Sequence, residues 1–240
     1  MKEVHFFYSP DAATDSLLPP DESMHALRVL RLKEGDDIFL LDGKGFFYKA
    51  TISMVASKKC FFEIKEKVEQ EKTWNGWIHL AIAPTKNIDR IEWMVEKAVE
   101  VGVDEISFLN SRFSERNTVK IERIEKIVVA AVKQSRKAFM PKVNEMVSFD
   151  EFISRKHSGR KFISHCYEEV PRVDFFNTIY STPADDILVL VGPEGDFSID
   201  EVTKACSMGY ESVTFGKSRL RTETAGLMAV VMANTALRKT

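Results

Sequence analysis

Two short segments combine residue types that can bind a ligand and stabilise charge. Segment 190–195, LVGPEG, places two glycines, a proline and a glutamate after an apolar run. Segment 216–225, GKSRLRTETA, carries Arg219, Arg221 and Glu223. Glycine and proline shape loops whose backbone can approach a ligand, and fixed charges on such loops can act on it. The two segments together predict a ligand site with charged groups beside it.

Each segment lies where an apolar strand is expected to give way to a helix. The run 187–191 has the unbroken apolar character of a parallel strand buried on both faces. Ser198 and Glu201 then form a capping-box pattern for the next helix. Because open α/β sheets bind ligands at the carboxyl ends of their strands, this is the expected place for a site.

The second segment repeats this plan, with a strand expected over 211–215 and a helix running through 225–233. Thr222 or Thr224 is expected to cap that helix. One such turn alone would be an ordinary strand-to-helix connection. Two constrained turns in tandem, the second with three charged residues, favour a functional site.

Other chemistries lack their motifs. No G-x-G-x-x-G turn follows a predicted strand, and the string Gly216-Lys217-Ser218 fails as a phosphate-binding loop because Gly209 is too far from Gly216. The serine-hydrolase motif G-x-S-x-G is absent, and the histidines are scattered, so no metal site is expected. His165 beside Cys166 could suggest a nucleophile, but we interpret both as lining of the pocket.

Composition points to an ordinary globular protein, with 44% hydrophobic and 29% charged residues among 240. No run approaches the ~20 apolar residues of a membrane span, and the first residues lack a signal-peptide core, so a cytoplasmic protein without a membrane partner is expected. Cys60, Cys166 and Cys206 form neither a C-x-x-C pair nor an even set. We expect three buried thiols.

Positive charge is concentrated locally. Residues 112–142 contain nine Lys or Arg against three Glu, although the whole chain has a net charge of −2. A solvated helix face with pairs such as Glu122 with Lys126, or a patch for phosphates, would both explain the stretch. Arg28 and Arg31 have the same two interpretations, surface charge or phosphate contact.

Two patterns divide the chain. Residues 1–70 show short β-type segments and a hairpin signal at Asp42-Gly43, interrupted by one helix from Asp21 or Ser23 to Leu30. This pattern predicts a small antiparallel barrel or sheet, whose strands are expected at 4–8, 37–41, 46–53 and 60–68.

From residue 71 to 240, strands and helices alternate, which predicts a mostly parallel α/β sheet. The expected strands are 77–83, 105–109, 161–166, 187–191 and 211–215. Helices are expected at 87–101, ended by Gly102 in the left-handed region, and near 119–138.

The chain resembles the RsmE-type 16S rRNA uridine-N3 methyltransferases, which belong to the SPOUT class of knotted methyltransferases. Segments 191–195 and 219–225 carry the paired signature. The further matching segments are 25–31, 86–103, 114–116 and 131–135 with Pro141. The similarity covers nearly the whole chain. Two positions differ from the family pattern: Asp196 stands where a second glycine is common after Gly195, and Asn117 stands where serine often follows the Ser-Glu-Arg segment 114–116.

The resemblance implies a PUA-like β-barrel at 1–70 that binds RNA, and a SPOUT α/β domain at 71–240 with a C-terminal trefoil knot. It implies S-adenosylmethionine as the methyl donor, N3 of a uridine in the 16S rRNA of the 30S ribosomal subunit as the acceptor, and a homodimer. Neither a metal ion nor a covalent nucleophile is needed for this transfer.

The resemblance also assigns roles to residues. Those implied for the cofactor, mostly through main-chain groups, are Ser164, His165, Cys166, Leu190, Gly192, Pro193, Glu194, Gly195, Ser218, Arg219, Leu220 and Thr222. Those implied for RNA are Arg28, Arg31, Arg116, Arg136 and Lys137. For catalysis, Arg221 would stabilise charge on the uridine carbonyl and Glu223 would orient Arg221 or relay the proton. An ion pair between these two that only holds the loop remains an open alternative.

Two further functions are compatible with the sequence. One is a SPOUT methyltransferase that acts on tRNA or on another rRNA nucleotide, which mapping of methylated RNA would distinguish. The other is a non-catalytic RNA-binding factor in ribosome assembly, which would show no melting shift with the cofactor. The intact residues Gly192, Gly195, Arg221 and Glu223 weigh against that second alternative.

Overall fold

The computed structural model describes residues 4–182 and 185–239 and separates into two compact units. Unit 1 is Met1–Lys72 with Val129–Met140, and unit 2 is Thr73–Val128 with Pro141–Thr240. No feature of the sequence indicated that the segment Val129–Met140 groups with unit 1. The domain limits 1–70 and 71–240 stay a prediction.

Unit 1 is built on one sheet with the strand order β1-β2-β3-β4. Its strands are β1 (Phe6–Tyr8), β2 (Asp37–Leu41), β3 (Phe46–Ala56) and β4 (Lys59–Glu69). The hairpin predicted at Asp42-Gly43 is confirmed, since β2 and β3 pair antiparallel. Asp42 Oδ1 accepts the N–H groups of Lys44 and Phe46 at 2.7 and 3.1 Å, which fixes the turn.

The helix expected before Leu30 is present, but its start differs from the prediction. Helix α1 (Pro20–Met24) begins after Pro19 without a side-chain cap and continues as a π-helical turn over His25–Val29. Ser23, predicted as a possible cap, is buried. Its hydroxyl donates to the Leu18 carbonyl at 2.9 Å and accepts the N–H of Cys60 at 3.3 Å. Ser23 therefore joins the helix to β4.

Unit 2 is an α/β unit whose described strand pairs are all parallel, which confirms the predicted fold class. The strands are β5 (Trp77–Ile82), β6 (Glu105–Asn110), β7 (Lys142–Val143), β8 (Val147–Ser148), β9 (Arg160–Ser164), β10 (Val173–Asp174), β11 (Asp186–Val191) and β12 (Glu211–Thr214). Their order is β10-β12-β9-β11-β5-β6-β7, with β8 beside β6. The trefoil knot itself stays a prediction.

Helices alternate with these strands. They are α2 (Ile88–Val101), α3 (Ile121–Ser135), α4 (Phe149–Ser154), α5 (Phe175–Ser181), α6 (Ile199–Ser207) and α7 (Thr222–Leu237). Helix α2 buries Ile91, Met94, Val95 and Ala98, as its apolar spacing predicted. Gly102 ends it with φ 122° and ψ 98°, so φ is positive but the conformation is not the left-handed helical one that we expected.

Two further local predictions were wrong. Helix α7 begins after Arg221 without a side-chain cap, and Thr222 is already its first residue, so neither threonine caps it. The expectation of three buried thiols holds for Cys60, but Cys166 is exposed and Cys206 is half-buried. Cys166 lies two residues beyond the end of β9, in the loop that follows the strand.

None of the helices formed by residues 4–182 and 185–239 is long and apolar enough to cross a membrane.

Candidate active site

The predicted cofactor segments leave three neighbouring strands at the same edge of the sheet. In the order β12-β9-β11, Val213 pairs with Ser164, and Ser164 pairs with Val191. The Ser164 hydroxyl also donates to the Leu190 carbonyl at 3.1 Å. Since these residues lie at or near the carboxyl ends of their strands, the loops that follow adjoin one another. The structure thus brings together segments that are far apart in sequence.

The loop after β11 is tightly folded. A side-chain carbon at Gly192 would lie 2.8 Å from the Phe197 main-chain nitrogen, so the turn requires glycine there. The Asp196 N–H donates to the Pro193 carbonyl at 2.9 Å. The capping box predicted for Ser198 and Glu201 is confirmed at the start of α6. This loop presents its main chain in one fixed conformation.

Glu194 is exposed, and its carboxylate binds main chain rather than solvent alone. Its Oε1 accepts the N–H of Lys86 at 2.9 Å. Arg116 binds the same turn, with Nε donating to the Thr85 carbonyl at 3.2 Å and Nη2 to the Lys86 carbonyl at 2.7 Å. Both charged residues therefore hold the turn that precedes α2.

In the loop after β12, Ser218 and Arg219 are exposed and Leu220 is half-buried. The Thr214 hydroxyl donates to the Gly216 carbonyl at 2.8 Å and so fixes the beginning of the loop. Thr222 is buried in the first turn of α7. Because β12 and β11 are both parallel to β9, this loop leaves the same edge of the sheet as the β11 loop.

Arg221 and Glu223 occupy different environments. Arg221 is exposed, whereas only 9% of the Glu223 side chain is exposed. Glu223 lies in the first turn of α7, where the helix dipole favours a carboxylate. Its ion-pair partner is Arg90 of α2, with Nε 3.9 Å from Oε1. Glu223 therefore pairs with Arg90, and not with Arg221, the pair that the sequence had left open as a way to hold the loop.

Two buried side chains at this edge have unused polar atoms. Glu223 Oε2 and both ring nitrogens of His165 lack hydrogen-bond partners among the described residues. Burial lowers the pKa of His165, so the neutral imidazole offers one donor and one acceptor. Buried polar atoms in folded proteins are nearly always hydrogen-bonded, so these positions fit a ligand that carries both donors and acceptors.

The sequence reasoning missed three residues of this site. Arg90 contacts Glu223, Arg172 Nη1 donates to the His165 carbonyl at 2.8 Å, and Asp196 accepts the N–H of Cys166 at 2.7 Å. For Arg90 and Arg172, no spacing pattern in the sequence pointed to these partners. Asp196 had one signal, its position directly after the glycine-rich turn.

The predicted RNA-binding residues occur in both units. In unit 1, Arg28 and Arg31 are exposed, and Arg136 is exposed with its guanidinium carbon 5.3 Å from the centre of the Phe6 ring. Lys137 is half-buried, and burial lowers its pKa. In unit 2, Arg116 is half-buried and contacts main chain as described above. The RNA role of all five stays a prediction.

Ion pairs neutralise part of the basic stretch 112–142. Lys133 binds the buried Glu22 within unit 1 at 2.8 Å, and Arg112 binds Asp200 within unit 2 at 3.0 Å. Arg123 binds Glu92 of α2. Charge available for phosphates is therefore smaller than the residue count suggests. In the part of the chain that the structure describes, no cluster of three His, Cys, Asp or Glu could hold a metal ion.

Comparison with known proteins assigns the family. A family model described as RNA methyltransferase domain matches residues 72–234, and one described as RNA methyltransferase PUA domain matches residues 18–65. The fold and the site thus define a two-part enzyme of the RNA-modifying class. The chain belongs to the RNA methyltransferase family.

Individual relatives agree with this assignment. The chain is similar to a probable rRNA methyltransferase from Porphyromonas gingivalis, with 40% identity, 98% of each chain covered and a TM-score of 0.88. It is also similar to a ribosomal RNA small subunit methyltransferase E from Neisseria gonorrhoeae bound to S-adenosyl methionine, with 28% identity, a TM-score of 0.82 and coverage of 97% and 98%. The Ribosomal RNA small subunit methyltransferase E of Rickettsia conorii (strain ATCC VR-613 / Malish 7) is 26% identical over 89% of this chain and 86% of that protein.

Proposed function

We propose that this protein transfers a methyl group from S-adenosylmethionine to N3 of a uridine in 16S rRNA of the small ribosomal subunit. One observation carries the proposal: the loops after three adjacent strands, β12, β9 and β11, leave one edge of the sheet beside two buried side chains with unused polar atoms. The names of the relatives support the rRNA substrate, and the ligand of the Neisseria protein supports the cofactor.

The residues present fit this cofactor. Main-chain groups of 192–195, 218–220 and 164–166 would hold it, and the side chain of His165, predicted to line the pocket, adds a neutral donor and acceptor. When bound, S-adenosylmethionine supplies a methyl group that its sulfonium makes electrophilic. The protein then needs to align the acceptor and to stabilise the charge that N3 gains on losing its proton.

We assign that stabilisation to Arg221 and Glu223. Arg221 is exposed at the N-terminal end of α7, so its guanidinium is accessible to a uridine carbonyl oxygen. The unpaired Oε2 of Glu223 can accept a hydrogen bond or the N3 proton. Because the ion pair in the structure joins Glu223 to Arg90, Arg221 does not hold the loop through an ion pair with Glu223.

The remaining assignments also form part of the proposal. Residues 1–70 would bind RNA, residues 71–240 would carry the transfer, and Arg28, Arg31, Arg116, Arg136 and Lys137 would contact phosphates. We further propose a homodimer in the cytoplasm. The substrate would be the 30S subunit or the RNA within it.

The decisive experiment compares purified 30S subunits, free 16S rRNA and tRNA as acceptors of labelled methyl groups from S-adenosylmethionine. The subunits and rRNA come from cells lacking the enzyme, and the modified nucleotide is mapped by mass spectrometry. Methylation of N3 of one uridine in 16S rRNA is expected. Arg221→Ala should abolish transfer while cofactor binding, measured by calorimetry, persists.

Three outcomes would contradict this proposal. A methyl group found in tRNA or at another atom would identify a different substrate. Absence of both transfer and a cofactor-dependent melting shift would indicate an RNA-binding factor without catalysis. Loss of cofactor binding in Arg221→Ala would make that residue structural.

A further inference from the structure

Asp196 adopts a conformation that few residues other than glycine favour. Its φ is +68°, in the left-handed region, where aspartate and asparagine are the best tolerated side chains that carry a Cβ. Its carboxylate makes two short hydrogen bonds to main-chain N–H groups. Oδ2 accepts from Cys166 at 2.7 Å and Oδ1 accepts from Phe197 at 2.8 Å.

These two hydrogen bonds connect different loops. Cys166 belongs to the loop after β9, and Phe197 follows the glycine turn after β11. The Tyr167 hydroxyl adds a second connection, because it donates to the Phe197 carbonyl at 2.8 Å. Asp196 and Tyr167 thus attach the β9 loop to the β11 loop at two consecutive residues.

His165 immediately precedes this connection. The His165 carbonyl accepts a hydrogen bond from Arg172 at 2.8 Å. The main chain of His165 is therefore held by Arg172, and that of the next residue, Cys166, by Asp196. The imidazole is buried and its ring nitrogens have no partner among the residues described. The loop contacts therefore hold a buried side chain with an unused donor and acceptor, which is the arrangement of a preformed ligand site.

We propose that Asp196 is a positioning residue that joins the β9 and β11 loops and so fixes His165 and the surrounding main chain before S-adenosylmethionine binds. This inference rests on the function proposed above. Ordering a loop on binding reduces affinity, and a loop ordered beforehand avoids that cost. Asp196 acts through Cys166 and Phe197, so its loss should weaken cofactor affinity more than the rate of transfer.

Two substitutions separate the side-chain contacts from the backbone conformation. Asp196→Gly removes both hydrogen bonds but favours the positive φ, so a fold-destabilising strain is not introduced. Asp196→Asn keeps one acceptor oxygen and places an amide donor against the second N–H. Asp174→Asn is the matched control, because Asp174 accepts one N–H, that of Asn177, at 2.8 Å at the start of α5.

Two measurements are made on the full chain: hydrogen exchange of peptides covering 164–167 without ligand, and the Kd for S-adenosylmethionine by calorimetry. For Asp196→Gly, we expect exchange in 164–167 to be faster by about tenfold and Kd to rise about tenfold, equivalent to 1.4 kcal/mol. Asp196→Asn should lie between that variant and the wild type. The kcat on rRNA at saturating cofactor should change less than about threefold, and Asp174→Asn should match the wild type.

Unchanged exchange and unchanged Kd in Asp196→Gly would overturn the inference. So would a fall in kcat with no change in Kd, since Asp196 would then act in the chemistry. If the wild type binds no S-adenosylmethionine, the proposed function is refuted together with the cofactor part of this inference. The exchange data alone then decide whether Asp196 joins the two loops.

Discussion

Replacing Glu223 by glutamine tests whether this carboxylate acts in the chemistry or braces the fold. Its side chain is 9% exposed, and its ion-pair partner among the described residues, Arg90, lies 3.9 Å away. At that distance, Coulomb's law gives about 1 kcal/mol in water and about 4 kcal/mol at an effective dielectric constant of ~20. Because the Arg90 side chain is 42% exposed, solvent screening favours the lower half of that range, about 1–2 kcal/mol.

Burial opposes this attraction. Taking a carboxylate out of water costs several kcal/mol, and Oε2 regains nothing through a hydrogen bond with the described residues. Glutamine lowers the burial penalty, although its polar amide still keeps part of it, and removes the attraction; these two changes have opposite signs. We therefore expect the free energy of unfolding to change by no more than about 1 kcal/mol, a melting shift of roughly 2–4 °C in either direction for a chain of this size.

Activity should respond very differently. Loss of one fixed charge aimed at a transition state typically slows catalysis by about 100- to 1000-fold. The assay is single-turnover methyl transfer at saturating cofactor, with scanning calorimetry on the same preparations. Glu122→Gln on the exposed face of α3 is the control, for which neither quantity should change.

A stabilising role would give the opposite result. If Glu223→Gln melts more than about 8 °C below the wild type and retains its rate, Glu223 is a brace and the catalytic assignment is refuted. Arg90→Gln gives an independent check, because it leaves the carboxylate buried without its cation and should lower stability by about 1–2 kcal/mol. That loss should disappear when Glu223→Gln is added, as in a double-mutant cycle.

Three further predictions concern the site and the pH dependence of the fold. Gly192→Ala places a carbon 2.8 Å from the Phe197 nitrogen, so we expect the β11 loop to shift and the Kd for S-adenosylmethionine, measured by calorimetry, to rise at least about tenfold; an unchanged Kd would contradict the role of the loop. Burial lowers the pKa of His79 below its usual 6.5, against the opposing effect of Glu105. As the pH falls, the His79 imidazole is protonated in the unfolded chain before it is protonated in the folded one. The free energy of unfolding that is present above about pH 6.5 therefore decreases as the pH falls. In urea unfolding between pH 7.5 and 5, His79→Gln should reduce this dependence of stability on pH. Partial desolvation and, to a lesser extent, Asp196 raise the pKa of the Cys166 thiol, although the residue is exposed. Iodoacetamide should therefore modify Cys166 more slowly than free cysteine at pH 8, as measured by mass spectrometry, and faster modification would contradict that environment.

Sequence patterns predicted the elements in which burial dictates residue type along the strand or helix. Strand β2 was predicted at its observed limits, and each of the five long strands of unit 2 was predicted to within two residues at either end. Continuous apolar runs identify such strands because both faces are buried. Strands β7, β8 and β10 are two residues long, too short to produce any pattern.

Contacts between distant segments had no sequence signal. Glu223 and Arg90 are separated by 133 positions, and only the packing of α7 beside α2 brings them together. The cap of α1 was also mispredicted for a physical reason, since proline fixes the backbone at Pro19 and Pro20 without a side-chain hydrogen bond. Residue type therefore indicated which side chains could bind a ligand or take part in catalysis, while the fold determines which of them contact one another.

The charged residues of the signature motifs support one another through the main chain. Glu194 and Arg116 have opposite charges and bind opposite groups of the same turn, the Lys86 N–H and the carbonyls of Thr85 and Lys86. That turn leads into α2, and α2 carries Arg90 to within 3.9 Å of Glu223. Residues expected to contact the cofactor or RNA thus also hold the turn that leads into the helix. Since α2 sets the position of Arg90, the electrostatic environment of Glu223 depends on two charges that never contact it.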